Sequence, residues 1–245
     1  MVNFQYKERY SVEDLIQIIR ILRSPGGCPW DQVQTHASNR RNFLEEAYEA
    51  VEAFDRDDPG LMCEELGDVL LQAFFNIQIE EDAGRFTTED VTTGVCRKLI
   101  YRHPHVFGTV QVSGSEEVLV NWEQLKRQEK KQSTPAKAMA DVAQTLPALW
   151  RAEKVQKKSG LPADAATAAQ RLTEAADGMK KALNQPAASE ALGELLMAAV
   201  YAARSQGIDP EEALHAACVR QIAAQQAQEA SLAAQETPEE RRKFQ

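Results

Sequence analysis

From Val12 to Leu22 the apolar residues Leu15, Ile18, Ile19 and Leu22 recur at the i, i+3, i+4, i+7 spacing of one helix face. Ser11 is placed to cap this helix, with Asp14 three residues on. The run Ser24-Pro25-Gly26-Gly27-Cys28-Pro29 breaks it and opens a turn-rich loop carrying Trp30, Asp31, Thr35 and His36. A second amphipathic helix is predicted from Arg40 to Asp55, with Leu44, Ala47, Tyr48, Val51 and Phe54 as its apolar stripe. Asp57-Asp58-Pro59-Gly60 ends it. A longer helix follows over 61–81, with Leu66, Val69, Leu70, Ala73, Phe74 and Ile77 expected inside. After the Asp82–Phe86 loop, Thr88 is placed to cap a helix reaching Arg102. A loop from His103 to Gly108 and a helix from Glu116 to Lys131 complete a first region, 1–131.

Residues 132–145, from Ser133-Thr134-Pro135 into an Ala-rich stretch, read as a linker. A second region, 146–235, is rich in Ala and Gln, with helices predicted near 146–157, 165–184, 187–206 and 210–235. A charged tail, 236–245, is expected to fray. The fold class is therefore all-α. Two blocks recur in the same order. Leu66-Gly67-Asp68-Val69-Leu70-Leu71 matches Leu192-Gly193-Glu194-Leu195-Leu196-Met197, and the block from Thr88 to Cys96 matches that from Pro210 to Cys218. This points to duplication of one helical unit.

Composition supports helix over sheet: 12 Gly and 10 Pro among 245 residues, against abundant Ala, Leu, Glu and Gln. A net charge of −9 argues against general binding to nucleic acid or anionic membranes. The four cysteines form no CxxC pair and read as free thiols in a reducing compartment. With no apolar leader and no long apolar run, the expected location is the cytoplasm.

Charge changes the picture between Glu45 and Asp68. Ten carboxylates stand there against one base, Arg56. They include E-E-x-x-E at 45–49 and E-x-x-D at 65–68. Glu46 and Glu49 share one helix face, and Glu65 and Asp68 repeat that spacing on the next helix. An antiparallel hairpin across Asp57–Gly60 lets all four converge. Like charges this close are costly unless a cation joins them. Oxygen donors without His or Cys suit Mg²⁺, with Mn²⁺ as the alternative. A di-iron bundle would need Glu-x-x-His motifs, which these helices lack. The competing reading, a solvated acidic face, stays open on spacing alone. Lys98 and Arg102, at i, i+4, read as surface charges or as phosphate clamps facing such a site. Trp30 and Trp122 read as core aromatics or as covers for a base. His36, His103 and His105 lack a metal-ligand pattern.

Several blocks together resemble the MazG family. They are Gly27-Cys28-Pro29-Trp30-Asp31, Gln34-Thr35-His36, Leu44-Glu45-Glu46-Ala47-Tyr48-Glu49, Glu64-Glu65-Leu66-Gly67-Asp68, Arg102-His103-Pro104-His105-Val106-Phe107-Gly108 and Asn121-Trp122-Glu123. The resemblance is dense over residues 10–131. It implies tandem MazG-like helical repeats, four-helix-bundle-like sites and a homodimer. It also implies Mg²⁺-dependent hydrolysis of a (deoxy)nucleoside triphosphate to a monophosphate and pyrophosphate. Glu46, Glu49, Glu65 and Asp68 match the family's metal ligands. Glu45 matches the adjacent acid that orients or deprotonates water, Lys98 and Arg102 the phosphate-contacting pair, and Trp122 a nucleotide-proximal aromatic.

The second region departs from that pattern. Glu174-Ala175-Ala176-Asp177-Gly178 stands where E-E-x-x-E would fall, and Ala191-Leu192-Gly193-Glu194 where E-x-x-D would fall. Arg220 stands for Lys98 and Ala224 for Arg102. Chemistry is accordingly expected in the first repeat, and packing and dimerisation in the second. The alternative is a non-catalytic helical dimer that binds nucleotide, metal or a protein partner.

Overall fold

The computed structural model describes residues 4–129, 134–160 and 162–235. The expected tail, 236–245, and the end of the helix predicted to Lys131 lie outside the described residues. Every element among the described residues is helical, as the hydrophobic periodicity predicts. The chain divides into two compact units, Met1–Trp122 and Glu123–Gln245. No described helix is long and apolar enough to cross a membrane.

In the first unit, α1 (Val12–Arg23) starts at a capping box in which Ser11 and Asp14 satisfy each other's backbone N–H groups. A single turn, α2 (Pro29–Gln32), follows within the segment expected to be loop. The chain doubles back so tightly before it that a Cβ at Gly27 would stand 2.2 Å from the Ile21 carbonyl oxygen. The next helix, α3 (His36–Asp55), begins four residues earlier than periodicity predicts because Thr35 and Ser38 form a capping box. Asp57 adopts a left-handed φ of 51°. Asp58 then accepts hydrogen bonds from Gly60 N and Leu61 N, capping α4 (Pro59–Asp82). Thr87, not Thr88, caps α5 (Thr88–Arg102). A single turn α6 (Pro104–Phe107) follows, then α7 (Ser115–Glu129), within which the first unit ends at Trp122.

The core of this unit is where α4 packs against α3 and against α1. Ile19, Ala50, Ala53 and Phe75 are buried. Arg23 stitches the elements together. Its guanidinium lies 5.1 Å from the centre of the Phe75 ring, and it donates to Asp82 at 2.8 Å and to the Asp31 carbonyl at 2.6 Å. The expected stripes are not what the core buries. Leu44, Tyr48, Val51 and Phe54 each keep about half their surface exposed, and Leu66 and Leu70 nearly as much. The polar side chains of Asn39, Gln72, Gln78 and Glu80 are buried instead. A single chain thus leaves the apolar face of its central hairpin open.

In the second unit, α8 (Pro135–Ala140) forms within the segment read as a linker, with Ala138 buried. Then come α9 (Ala148–Lys158), α10 (Ala165–Ala182), α11 (Ala188–Ser205) and α12 (Pro210–Gln235), each within about two residues of its predicted bounds. Another hairpin, α10–α11, is its centre, packed on α9. Val200 and Tyr201 are buried there, and the Tyr201 hydroxyl donates to the Pro162 carbonyl at 2.7 Å. Trp150 Nε1 donates to Asp209 at 3.0 Å, tying α9 to the start of α12.

Candidate functional site

The α3–α4 hairpin brings together three of the four acids whose spacing predicts convergence. Glu46 and Glu49 project from α3, and Glu65 from α4. One carboxylate oxygen of each lies within 4.8 Å of the others. Glu46 and Glu65 are half-buried, while Glu49 is exposed. Desolvation, then the charges of Asp68, Glu49 and Glu65, push the Glu46 carboxyl above the usual carboxylate range. Glu65 is raised in the same way, by desolvation and then by Glu49, Glu64, Asp68 and Glu52. Asp68 stands one turn beyond Glu65 and its charge reaches both Glu46 and Glu65. It is not one of the three acids whose oxygens converge. Glu45 is exposed beside them and also outside the convergent group.

The remaining residues singled out from sequence lie outside the convergent group. Arg102, at the end of α5, is only 6% exposed, and its guanidinium lies 5.3 Å from the centre of the Trp122 ring. The His103 ring meets Trp122 edge-on at 4.9 Å and His105 at 5.7 Å. The segment 102–105 and Trp122 thus build one aromatic and basic cluster. Lys98, one turn before Arg102, is half-exposed. Trp30 lies on α2, 60% exposed.

Residues 34–107 match the MazG nucleotide pyrophosphohydrolase domain. The chain is 37% identical over 209 residues to the nucleoside triphosphate pyrophosphohydrolase/pyrophosphatase MazG of Thermotoga maritima, covering 84% of this chain and 80% of that one. It is also 37% identical over 216 residues to the nucleoside triphosphate pyrophosphohydrolase of Escherichia coli, covering 84% and 82%. The chain belongs to the MazG family of nucleotide pyrophosphohydrolases. It is 51% identical over 140 residues to the uncharacterized protein YabN of Bacillus subtilis, and that match spans only 28% of YabN.

MazG pyrophosphohydrolases generally use a divalent metal, and the three convergent acids fit one. Ligand oxygens on opposite sides of Mg²⁺ stand about 4 Å apart. Carboxylates already within 4.8 Å of one another therefore need only small rotamer changes to meet a common ion. The all-oxygen donor set favours a hard cation. The upward shifts of Glu46 and Glu65 come first from desolvation and then from the neighbouring acid charges, and a bound cation would offset both.

Periodicity missed one acid of this MazG unit. Glu80 is 7% exposed near the end of α4 and accepts from both Nε and Nη2 of Arg85 and from His36 Nε2. His36 Nδ1 meets Asn76 Oδ1 at 2.8 Å. The Arg85 guanidinium, then His36, hold the Glu80 carboxyl down to about 2. Glu80, then Asn76, raise the His36 imidazole above its ordinary value. The cluster pins the start of α3 to the end of α4, opposite the Asp57–Asp58 turn. Glu80 sits in a Glu-Glu-Asp run that reads as an ordinary helix end, and no local signal marks its burial.

Proposed function

We propose that this chain hydrolyses nucleoside triphosphates to a monophosphate and pyrophosphate in a Mg²⁺-dependent reaction at the α3–α4 hairpin. Family membership supplies the reaction class. The observation that carries the site assignment is the convergence of Glu46, Glu49 and Glu65 within 4.8 Å on two facing helices. These three, with Asp68 one turn away, would hold the metal. When bound, Mg²⁺, or Mn²⁺ in its place, neutralises phosphate oxygens and lowers the barrier to attack on phosphorus. Glu45, exposed beside the ligands, accepts the proton of the attacking water. Lys98 and Arg102 donate to phosphate oxygens as negative charge shifts onto the leaving pyrophosphate. The stacking of Arg102 on Trp122 holds the guanidinium in place, so little rotamer freedom is lost on binding. Trp122 and Trp30 supply flat faces for the base.

The half-exposed face formed by Leu44, Tyr48, Val51, Leu66 and Leu70 supports a homodimer, since monomers rarely leave so continuous an apolar stripe in water. The second unit would then serve packing and dimerisation. The free thiols of Cys28, Cys63, Cys96 and Cys218 support a reducing compartment, the cytoplasm.

Pyrophosphate release from a panel of ribo- and deoxyribonucleoside triphosphates, with Mg²⁺ and with EDTA, tests the reading. Turnover that needs the cation is expected. Calorimetric binding of the same nucleotides without turnover would instead favour a non-catalytic nucleotide-binding dimer.

A further inference from the structure

The second unit holds a cavity of about 590 Å³ against the α10–α11 hairpin. Its lining includes Ala175, Gly178, Ala191 and Glu194. These are the four positions that stand, in the motif comparison above, where Glu46, Glu49, Glu65 and Asp68 stand in the first unit. Glu174, aligned with Glu45, lines it as well. The α10–α11 hairpin thus has a cavity at the positions aligned with the acids of α3 and α4, and Ala, Gly and Ala stand at three of the four.

The chemistry left behind is specific. Met139, Val155 and Met197 give the cavity apolar, polarisable walls, a surface suited to the face of a flat ring. The one buried polar side chain in the lining, Gln156, is already satisfied: its Nε2 donates to the Met197 carbonyl at 2.8 Å and its Oε1 accepts from Arg204 at 3.3 Å. The charged groups are exposed ones, Arg171, Glu174 and Glu194. Arg171 is steadied over the Tyr201 ring at 4.4 Å. Two carboxylates against one guanidinium, with no convergent metal-ligand set, disfavour a triphosphate chain. They do offer acceptors for hydroxyl groups. Apolar walls with a few polar groups, at a volume inside the roughly 300–1,000 Å³ of small-molecule sites, describe a ligand pocket.

We propose that this cavity binds an unphosphorylated nucleoside without metal, its base against the methionine walls and its ribose hydroxyls donating to Glu174 and Glu194. The choice of a nucleoside rests on the reading of the first unit as a nucleotide site, because the two hairpins are taken as copies of one element.

The test titrates the full chain in EDTA with adenosine, guanosine, cytidine, uridine and thymidine, by calorimetry and ligand-observed NMR. At least one should bind saturably. A Cβ at Gly178 meets nothing within 4 Å, so Gly178→Met can fill the cavity without a backbone clash and with better helix propensity. It should weaken binding about tenfold or more, and Ala191→Leu should do the same. Circular dichroism checks that each variant is folded. Glu49→Gln, in the first unit, should leave nucleoside affinity unchanged. Gly178→Met should leave Mg²⁺-dependent pyrophosphate release at the wild-type rate. Failure of all five nucleosides to bind, or binding that both cavity-filling variants leave intact, overturns the proposal. Loss of pyrophosphate release from the unmodified chain is a separate result and bears on the first unit alone.

Discussion

The α3–α4 and α10–α11 hairpins are built alike and charged differently. Each opens with a side-chain cap, from Thr35 in one and Asp164 in the other. Each turns through a single non-glycine residue in the left-handed region, Asp57 at φ 51° and Asn184 at φ 62°. Asp and Asn are the residue types that tolerate this conformation best. Each is the packed centre of its own unit. Yet where one carries Glu46, Glu49 and Glu65, the other carries Ala175, Gly178 and Ala191. The α10–α11 hairpin forms without such acids. In the first hairpin, burial and then the charges of neighbouring acids raise the Glu46 and Glu65 carboxyls, an expense to the folded state. That contrast supports the proposal that Glu46, Glu49 and Glu65 serve chemistry.

The largest expected effect breaks the comparison directly. Glu49→Gln or Asp68→Asn should reduce kcat for pyrophosphate release on the order of 10²–10³-fold, the scale for losing one electrostatic stabiliser of the transition state. Glu194→Gln, at the position matching Asp68, should leave the rate unchanged. Equal losses in both units would mean that the second shares the chemistry. The next experiment runs in reverse. Installing Glu at 175, 178 and 191 beside Glu194 should add a metal site, read as a higher Mn²⁺ stoichiometry by calorimetry and a Mg²⁺-dependent rise in Tm. If no additional ion binds, the two hairpins are not equivalent in register.

A smaller effect concerns stability. With EDTA present, Glu49→Gln should melt a few degrees higher than the wild type, because it removes repulsion from Glu46 and Glu65. With Mg²⁺ present the order should narrow or reverse. The smallest effect is on pH dependence. Glu80 titrates at about 2 in the folded chain, against 4.5 ordinarily. Its contribution is full above pH 4.5 and is lost as pH falls toward 2. His36 is raised above 6.5, so its contribution is full below that value and fades as pH rises through the raised one. Thermal melts across pH should show both flanks, and Glu80→Gln should flatten them.

Much of this was legible in the residues. Periodicity marks the long helices because each carries a recurring apolar stripe, and the paired acid motifs mark the hairpin that brings Glu46, Glu49 and Glu65 together. The starts of helices were less legible. Thr35 and Thr87 cap through side-chain hydrogen bonds that apolar spacing does not encode, so that spacing alone predicts α3 four residues late and the cap of α5 one residue off. The interior of the first unit was least legible. Leu44, Tyr48, Leu66 and Leu70 have the spacing of core residues and are half-exposed, while Gln72, Gln78 and Glu80 are buried. Spacing tells which residues share a face, but not whether that face meets its own chain. Asp68 shows the same limit on a smaller scale: one turn from Glu65, it shares the face and the field of the cluster but not its close approach.

The turn at Asp57 has a consequence for how this gene can change. Each helical residue advances the chain by about 100° around the axis. One residue inserted or deleted between Arg56 and Pro59 would either turn the acids of one helix away from those of the other or force the packing apart. Point substitutions in the turn can be absorbed, because Asp57 needs only a conformation and Asp58 only an acceptor. A change of length cannot. The turn is thus a spacer of fixed length, and lineages that keep the reaction should keep its residue count even where they change its residues.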